Sequence, residues 1–309
     1  FCAQSGSSTT STCVLFGARD LEEEPPAKID RWVGELPRRD ASEAEAAEAL
    51  EHVITAWPRP RTLIAASPDR RRFRQGATFT PRRFFIVEHA TSGRLQSRRD
   101  APRVRGRVGS LDKRPWTTVE PPEGPVERAF LRRIALGESI APYRILGLAT
   151  GVVPMQDGNI LTASGADTQG HRGLAAWLRD AEGKWNEHSN KKADGAARVS
   201  LAQSIDHLGK LTSQAGRSPI RILYPASGTR LSACWVEDDD VVVDKDAYWS
   251  AAASLEEAAY VTAILNTQIV LDRVKDLQPV GQRDPRHFDN LVWTLPSPEF
   301  DANDALHAD

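Results

Sequence analysis

Residues 67–88 read SPDRRRFRQGATFTPRRFFIVE, six arginines around one short apolar run. A guanidinium stays charged, presents a planar fork of donors and sheds water more readily than an ammonium, so arginines at this density suit phosphate. Arg70, Arg71, Arg72 and Arg74 stand too close together for all to pack inside, so several are expected to face a nucleic acid or solvent. Gln75 follows, with an amide able to read an adenine edge. Arg82 and Arg83 precede a predicted strand whose alternation would send one to each face. Lys113 and Arg114 lie beside Pro115 and Trp116, a basic and aromatic pairing suited to a phosphate backbone, with Trp116 itself read as core. Lys191 and Lys192 read equally well as phosphate contacts or as solvated loop charges. Arg283 and Arg286 are read as partners for Asp284 and Asp289.

Other chemistries find less support. A Walker loop, a dinucleotide glycine fingerprint, a nucleophile elbow and a zincin helix are absent. None of the seven histidines has metal-ligand spacing to a cysteine or another histidine. Asp180, Glu182 and Lys184 imitate the acid-then-lysine order of a metal-dependent nuclease. They fall on an amphipathic helical pattern, however, where ordinary i to i+4 surface charges are the simpler reading. The set predicts no catalytic residue, no cofactor-binding residue and no metal ligand in this chain.

The 309 residues can bury a sizeable core, and 40% hydrophobic with 27% charged residues is ordinary for a globular protein. No apolar run approaches the roughly 18 residues of a spanning helix. Cys2, Cys13 and Cys234 lack metal or redox spacing, which suits buried thiols and a cytoplasmic location. The net charge of −2 conceals a segregation: residues 20–51 carry 11 acidic and 4 basic residues, residues 70–114 carry 14 basic and 3 acidic. Position Phe1 and the single Met155 suggest a fragment.

Several elements must position these side chains. Residues 12–17, TCVLFG, read as a buried strand. Residues 22–37 read as a proline-punctuated connection, followed by a short helix with Asp40 as N-cap and Glu43 completing a capping box. RFFIVE is a strand, and the arginine-rich stretch after it a loop or hairpin. Residues 123–147 predict a short helix stopped at Gly137, then a strand from Tyr143. Leu174, Trp177, Leu178, Ala181 and Trp185 have helical spacing, as do Leu201, Ile205, Leu208 and Thr212, giving a helical hairpin. IRILYPASGTRLSACWVED is two strands joined by a Ser-Gly turn, VVVDKDAYWSA continues that sheet, and residues 254–277 form a helix with Ser254 as N-cap and Glu257 three residues on. The aromatic tail HFDNLVWTLPSPEFD is expected to pack back. The fold class is α+β, with small mixed or antiparallel sheets and a helical hairpin, divided as 1–20, 21–65 (acidic helical linker), 66–170 (basic module), 171–216 (hairpin) and 217–309.

The order RQGATFTPRRFFIVE, FLRRIALGESIAPYRI, AAYVTAILNTQI, GQRDPRHFDNLVWTLPSPEFD resembles the C-terminal half of N6-adenine DNA methyltransferases of the type I and type IIG restriction-modification kind. The resemblance covers most of the chain. It implies that residues 1–20 are a remnant of an upstream α/β methyltransferase sheet, that the partners are double-stranded DNA and that upstream domain of the same polypeptide, and that S-adenosylmethionine serves the full-length enzyme. The family's Asn/Asp-Pro-Pro-aromatic motif is not met by EPPA at Glu24 or EPPEG at Glu120, so no catalytic or cofactor residue carries over and the chain alone is expected to be inactive. The implied function is DNA target recognition, with arginines on phosphates and a few reaching guanine, each bidentate pair worth roughly 1–3 kcal/mol of discrimination. A stand-alone protein-interaction module and a nuclease on Asp180, Glu182 and Lys184 stay open as alternatives.

Overall fold

The computed structural model describes residues 2–5, 12–13, 28–38, 40–56, 67–90, 98–109, 112–190, 195, 197–216, 218–275, 277–278 and 286–308. It is a mixed α+β structure of several small sheets and a few helices, as the sequence predicts.

At the N-terminal end, β1 (Cys2–Ser5), β2 (Thr12–Cys13), β3 (Lys28–Leu36) and β4 (Leu50–Ala56) pair in the order β2-β1-β3-β4. Residues 28–36, expected as a connection, are therefore a strand. The helix between them, α1 (Glu43–Ala49), is shorter than predicted and starts two residues later. Its N-cap is Ser42, whose backbone N–H donates to the Glu45 carboxylate at 2.8 Å in a reciprocal capping box. Asp40 instead lies 3.8 Å from Arg38. The helix ends at Leu50, whose backbone is already extended, and the chain continues directly into β4, for which β3 offers a full antiparallel partner. Residues 14–17 of the first predicted strand lie outside the described residues.

Further along come β5 (Arg74–Gln75), β6 (Ile86–His89), β7 (Arg103–Gly106), β8 (Glu123–Pro125) and β9 (Leu131–Ala135). Two small hairpins, β10 (Ile140–Ala141) with β11 (Arg144–Ile145) and β13 (Met155–Gln156) with β14 (Asn159–Ile160), flank β12 (Ala149–Val152). The last strands are β15 (Ile220–Pro225), β16 (Cys234–Glu237), β17 (Val241–Val243) and β18 (Ala247–Ala251). One sheet runs β17-β9-β12-β6-β7-β8, and another β16-β15-β18-β5. Two expectations change here. FLRRIALG is strand β9 rather than a helix, because β12 and β17 occupy both its edges and satisfy its backbone. The VVV segment leaves the sheet of its neighbours and runs parallel to β9, so only β18 continues the β15–β16 hairpin.

The helices are α2 (Ala163–Thr168), α3 (Arg172–His188), α4 (Leu201–Ile205), α5 (Leu255–Leu265), α6 (Gln268–Lys275) and α7 (Ala305–Ala308). The apolar stripe of α3 is buried as its spacing predicts: Leu174, Ala175, Trp177, Leu178 and Ala181 face the six-stranded sheet, and the Trp177 indole donates to the Phe84 carbonyl at 3.0 Å. The Glu127 carboxylate accepts from the backbone N–H groups of Gly173 and Leu174, both at 2.8 Å, which satisfies orphan donors at the positive end of the helix. Gly173 is required there, since a Cβ would stand 2.6 Å from the Pro125 carbonyl oxygen.

The second helix of the predicted hairpin stops early. The Asp206 carboxylate takes the N–H groups of Leu211 and Thr212, both at 2.9 Å, and turns the chain, leaving Leu208 82% exposed. Likewise the predicted C-terminal helix breaks into α5 and α6, because the Asn266 amide pairs with both backbone groups of Ala233 at 2.9 Å. Ser254 caps α5 as predicted, accepting from the Glu257 N–H at 3.2 Å. The aromatic tail does pack back: Phe288, Val292 and Trp293 are buried in the core between α5, α6 and the four-stranded sheet. Cys234 is a buried free thiol, its pKa pushed up by burial to about 12.

Candidate nucleic-acid interface

Phe73 organises the arginine-rich stretch. Its ring is buried and stacks on Trp293 with centroids 4.3 Å apart, pinning the chain between the 3-10 turn Pro68–Arg71 and the edge strand β5. Arg72 adds a second anchor, donating to Asp69 at 2.8 Å and to Glu257 at 2.5 Å. Burial raises the Asp69 carboxyl above its ordinary range, against the pull of the Arg72 guanidinium. Phe73 is buried and Arg72, though partly exposed, is spent on carboxylates, whereas Arg70, Arg71 and Arg74 are exposed. Among the described residues no carboxylate lies within ion-pair distance of these three.

The other sequence candidates divide. Arg82 and Arg83 do not alternate across a strand, because they sit on a 3-10 turn (Arg82–Phe84) before β6 and both point into the molecule. Arg82 bridges Asp244 at 2.9 Å and Asp246 at 2.7 Å, tying this turn to the turn between β17 and β18. Burial raises the Asp244 carboxyl while Arg82 pulls it down. Arg83 is 3% exposed; it pairs with Asp112 at 3.0 Å and donates to the Val119 carbonyl. Gln75 donates to the Lys245 carbonyl at 2.8 Å and accepts from Lys210 at 2.7 Å, so both ends of its amide are spent on the protein. Arg72, Arg82, Arg83 and Gln75 are thus corrected to structural roles in this conformation. The physical reason is common to all four: carboxylates and carbonyls from distant segments reach them first.

Lys113 and Arg114 stay exposed and, among the described residues, without acidic partners. The buried Arg83–Asp112 pair holds the segment that carries them. Trp116 is half-buried against the core, stacked on Trp185 with centroids 5.2 Å apart and a 9° interplanar angle. Lys191 and Lys192 lie outside the described residues, as do Arg283 and Asp284, so the predicted Arg283 pairing does too. Arg286 is exposed without a carboxylate within ion-pair distance among the described residues, and Asp289 lies 3.9 Å from His287 instead.

Other arginines of the basic module are paired with acids. Arg103 and Arg105 on β7 meet Glu123 and Glu120, and Arg132 and Arg133 on β9 meet Asp240 and Asp238. A cavity of about 500 Å³ beside that last pair is lined by Arg132, Arg221, Asp239, Asp240 and Gln214, a mixed set with no bias toward an anion. The nuclease-like set is occupied as ordinary helix chemistry: Lys184 pairs with Asp180 at 2.7 Å, and Glu182 accepts from the Ala163 N–H at 3.4 Å. Among the described residues no cluster of three His, Cys, Asp or Glu could hold a metal, and no helix is long and apolar enough to cross a membrane. The EPPEG segment does not fit S-adenosylmethionine chemistry, since Glu120 is engaged by Arg105 at 3.2 Å and both prolines are buried.

Sequence reasoning missed a cleft next to Arg70, lined by His287, Asp289, Asn290, Leu291 and Thr294. These residues come from the far end of the chain. No local signal joins them to Arg70; the stacking of Phe73 on Trp293 and the Ser67–Ser297 hydroxyl pair at 2.5 Å do.

No protein-family model matches this chain, and no curated protein matches it. Among solved structures it is loosely similar to the Type IIL restriction-modification enzyme MmeI in complex with DNA, at 11% identity and a TM-score of 0.42. The match covers 84% of this chain and 29% of that one, so this chain spans under a third of that enzyme's length.

Proposed function

We propose that this chain is the DNA target-recognition part of a restriction-modification adenine-N6 methyltransferase, gripping duplex DNA through Arg70, Arg71 and Arg74, with Lys113 and Arg114 as outlying contacts. One observation carries the reading: three exposed arginines without acidic partners among the described residues stand on a stretch anchored by buried Phe73 and by Arg72 paired with Asp69 and Glu257. Arginines held from below lose less freedom when they meet phosphate than arginines on a loose loop. The ordered motifs of the sequence, which resemble the C-terminal half of such enzymes, supply the class. In this reading an upstream domain of the same polypeptide binds S-adenosylmethionine and transfers the methyl group, and this chain alone is inactive.

The test is fluorescence anisotropy of a labelled duplex with the purified chain. Four or five phosphate contacts would give a slope of log affinity against log salt of roughly −3.5 to −4.5. A folded chain that shows no salt-sensitive binding to duplex DNA would overturn the proposal.

A further inference from the structure

The cleft beside Arg70 has a volume of about 620 Å³ and a lining unlike that of a phosphate site. Arg70 brings a cation, but Asp289 brings an anion to the same wall, and Asn290 a neutral amide. Asn290 is exposed, and its side-chain amide has no hydrogen-bond partner among the described residues. Thr294 donates its hydroxyl to the Leu291 carbonyl at 2.6 Å, which leaves the oxygen lone pairs as acceptors. A phosphate gains nothing from Asp289 and is repelled by it. An aromatic base edge, neutral and carrying both donors and acceptors, suits the set.

The segment that carries these groups is fixed. Phe288 and Trp293 are each 1% exposed. The N–H groups of Phe288 and Asp289 donate to the Ala226 carbonyl at 2.8 and 3.2 Å. Tyr224 donates its hydroxyl to the Asp289 carbonyl at 2.8 Å and accepts from the Trp293 indole at 3.0 Å. Asn290 follows Asp289, a residue held at a φ of +36°, so the backbone that aims the amide is set by the core.

We infer that this cleft reads base edges in the major groove, with Asn290 on an adenine and Arg70 on a neighbouring guanine. The inference rests on the DNA-binding reading above. An amide offers one donor and one acceptor side by side, which is what adenine N7 and N6 require, while the guanidinium fork matches guanine O6 and N7. Arg70 is therefore a specificity residue as well as a source of charge, and the tail supplies half of the reading head.

The experiment is selection from a random-duplex pool with the full chain and two variants, Asn290→Ala and Arg70→Lys. Both sites are exposed, and thermal melts check that both variants fold. The unaltered chain is expected to enrich a motif. Asn290→Ala should lose preference at one A·T position by roughly 5- to 150-fold while keeping its salt dependence. Arg70→Lys keeps the charge but not the fork, and should relax an adjacent G·C position. An identical motif from all three proteins overturns the inference. So does salt-sensitive binding with no enriched motif, which leaves duplex binding standing. No binding at all overturns the proposed function itself.

Discussion

Arginine does two opposite jobs within a few residues of this chain. Arg71 and Arg74 are exposed, whereas Arg72, Arg82 and Arg83 are consumed by Asp69, Glu257, Asp244, Asp246 and Asp112. The side chains of Arg83 and Asp112 are 4% and 3% exposed, so removing one leaves the other charged and dry. Arg83→Ala is therefore expected to cost about 3–5 kcal/mol in urea unfolding. Arg71→Ala, by contrast, should stay within about 0.5 kcal/mol of the parent. Equal effects from the two would mean that the buried pair does not form. Composition displayed the arginines, but which of them faced outward depended on acids far along the chain, and those pairings have no local signature.

At the scale of elements, legibility followed the length of the periodic pattern. Helix α3 was readable because Leu174, Trp177, Leu178, Ala181 and Trp185 repeat over about three turns, and the cap of α5 because Ser254 announces it. Strand β9 was misread because the RR pair in FLRRIALG fits a helix face as well as a strand, and only its partners on both sides decide. Helix α4 was overextended because the apolar spacing of Leu201, Ile205 and Leu208 continues past Asp206, whose carboxylate takes the next N–H groups instead. This difference is measurable. Ile205 is 1% exposed, and Ile205→Ala should cost about 2–5 kcal/mol. Leu208→Ala, at an exposed position, should change stability by less than about 0.5 kcal/mol. A large loss at Leu208 would show the longer helix that the spacing alone suggests.

For the whole molecule, the charge segregation of the sequence is largely undone by folding. Acids at 112, 120, 123, 138, 238, 240, 244, 246 and 257 return to the arginines of the basic module and of β9. Unpaired exposed cations remain elsewhere among the described residues too, Arg99, Arg144, Arg198 and Arg286 among them; what sets Arg70, Arg71 and Arg74 apart is the Phe73 anchor, and Lys113 and Arg114 the segment tethered by Arg83. The candidate site is thus legible in outline as a basic stretch and in detail only once the pairings and the Phe73 anchor are known. The most direct measurement is the salt dependence of duplex binding for the chain and for a variant with Arg70, Arg71 and Arg74 all changed to alanine. With Arg70 on a base edge, the two lost phosphate contacts of Arg71 and Arg74 should flatten the slope of log affinity against log salt by about 1.8, at about 0.9 per contact. A folded variant with the same slope and affinity as the parent would contradict the assignment of DNA binding to this surface.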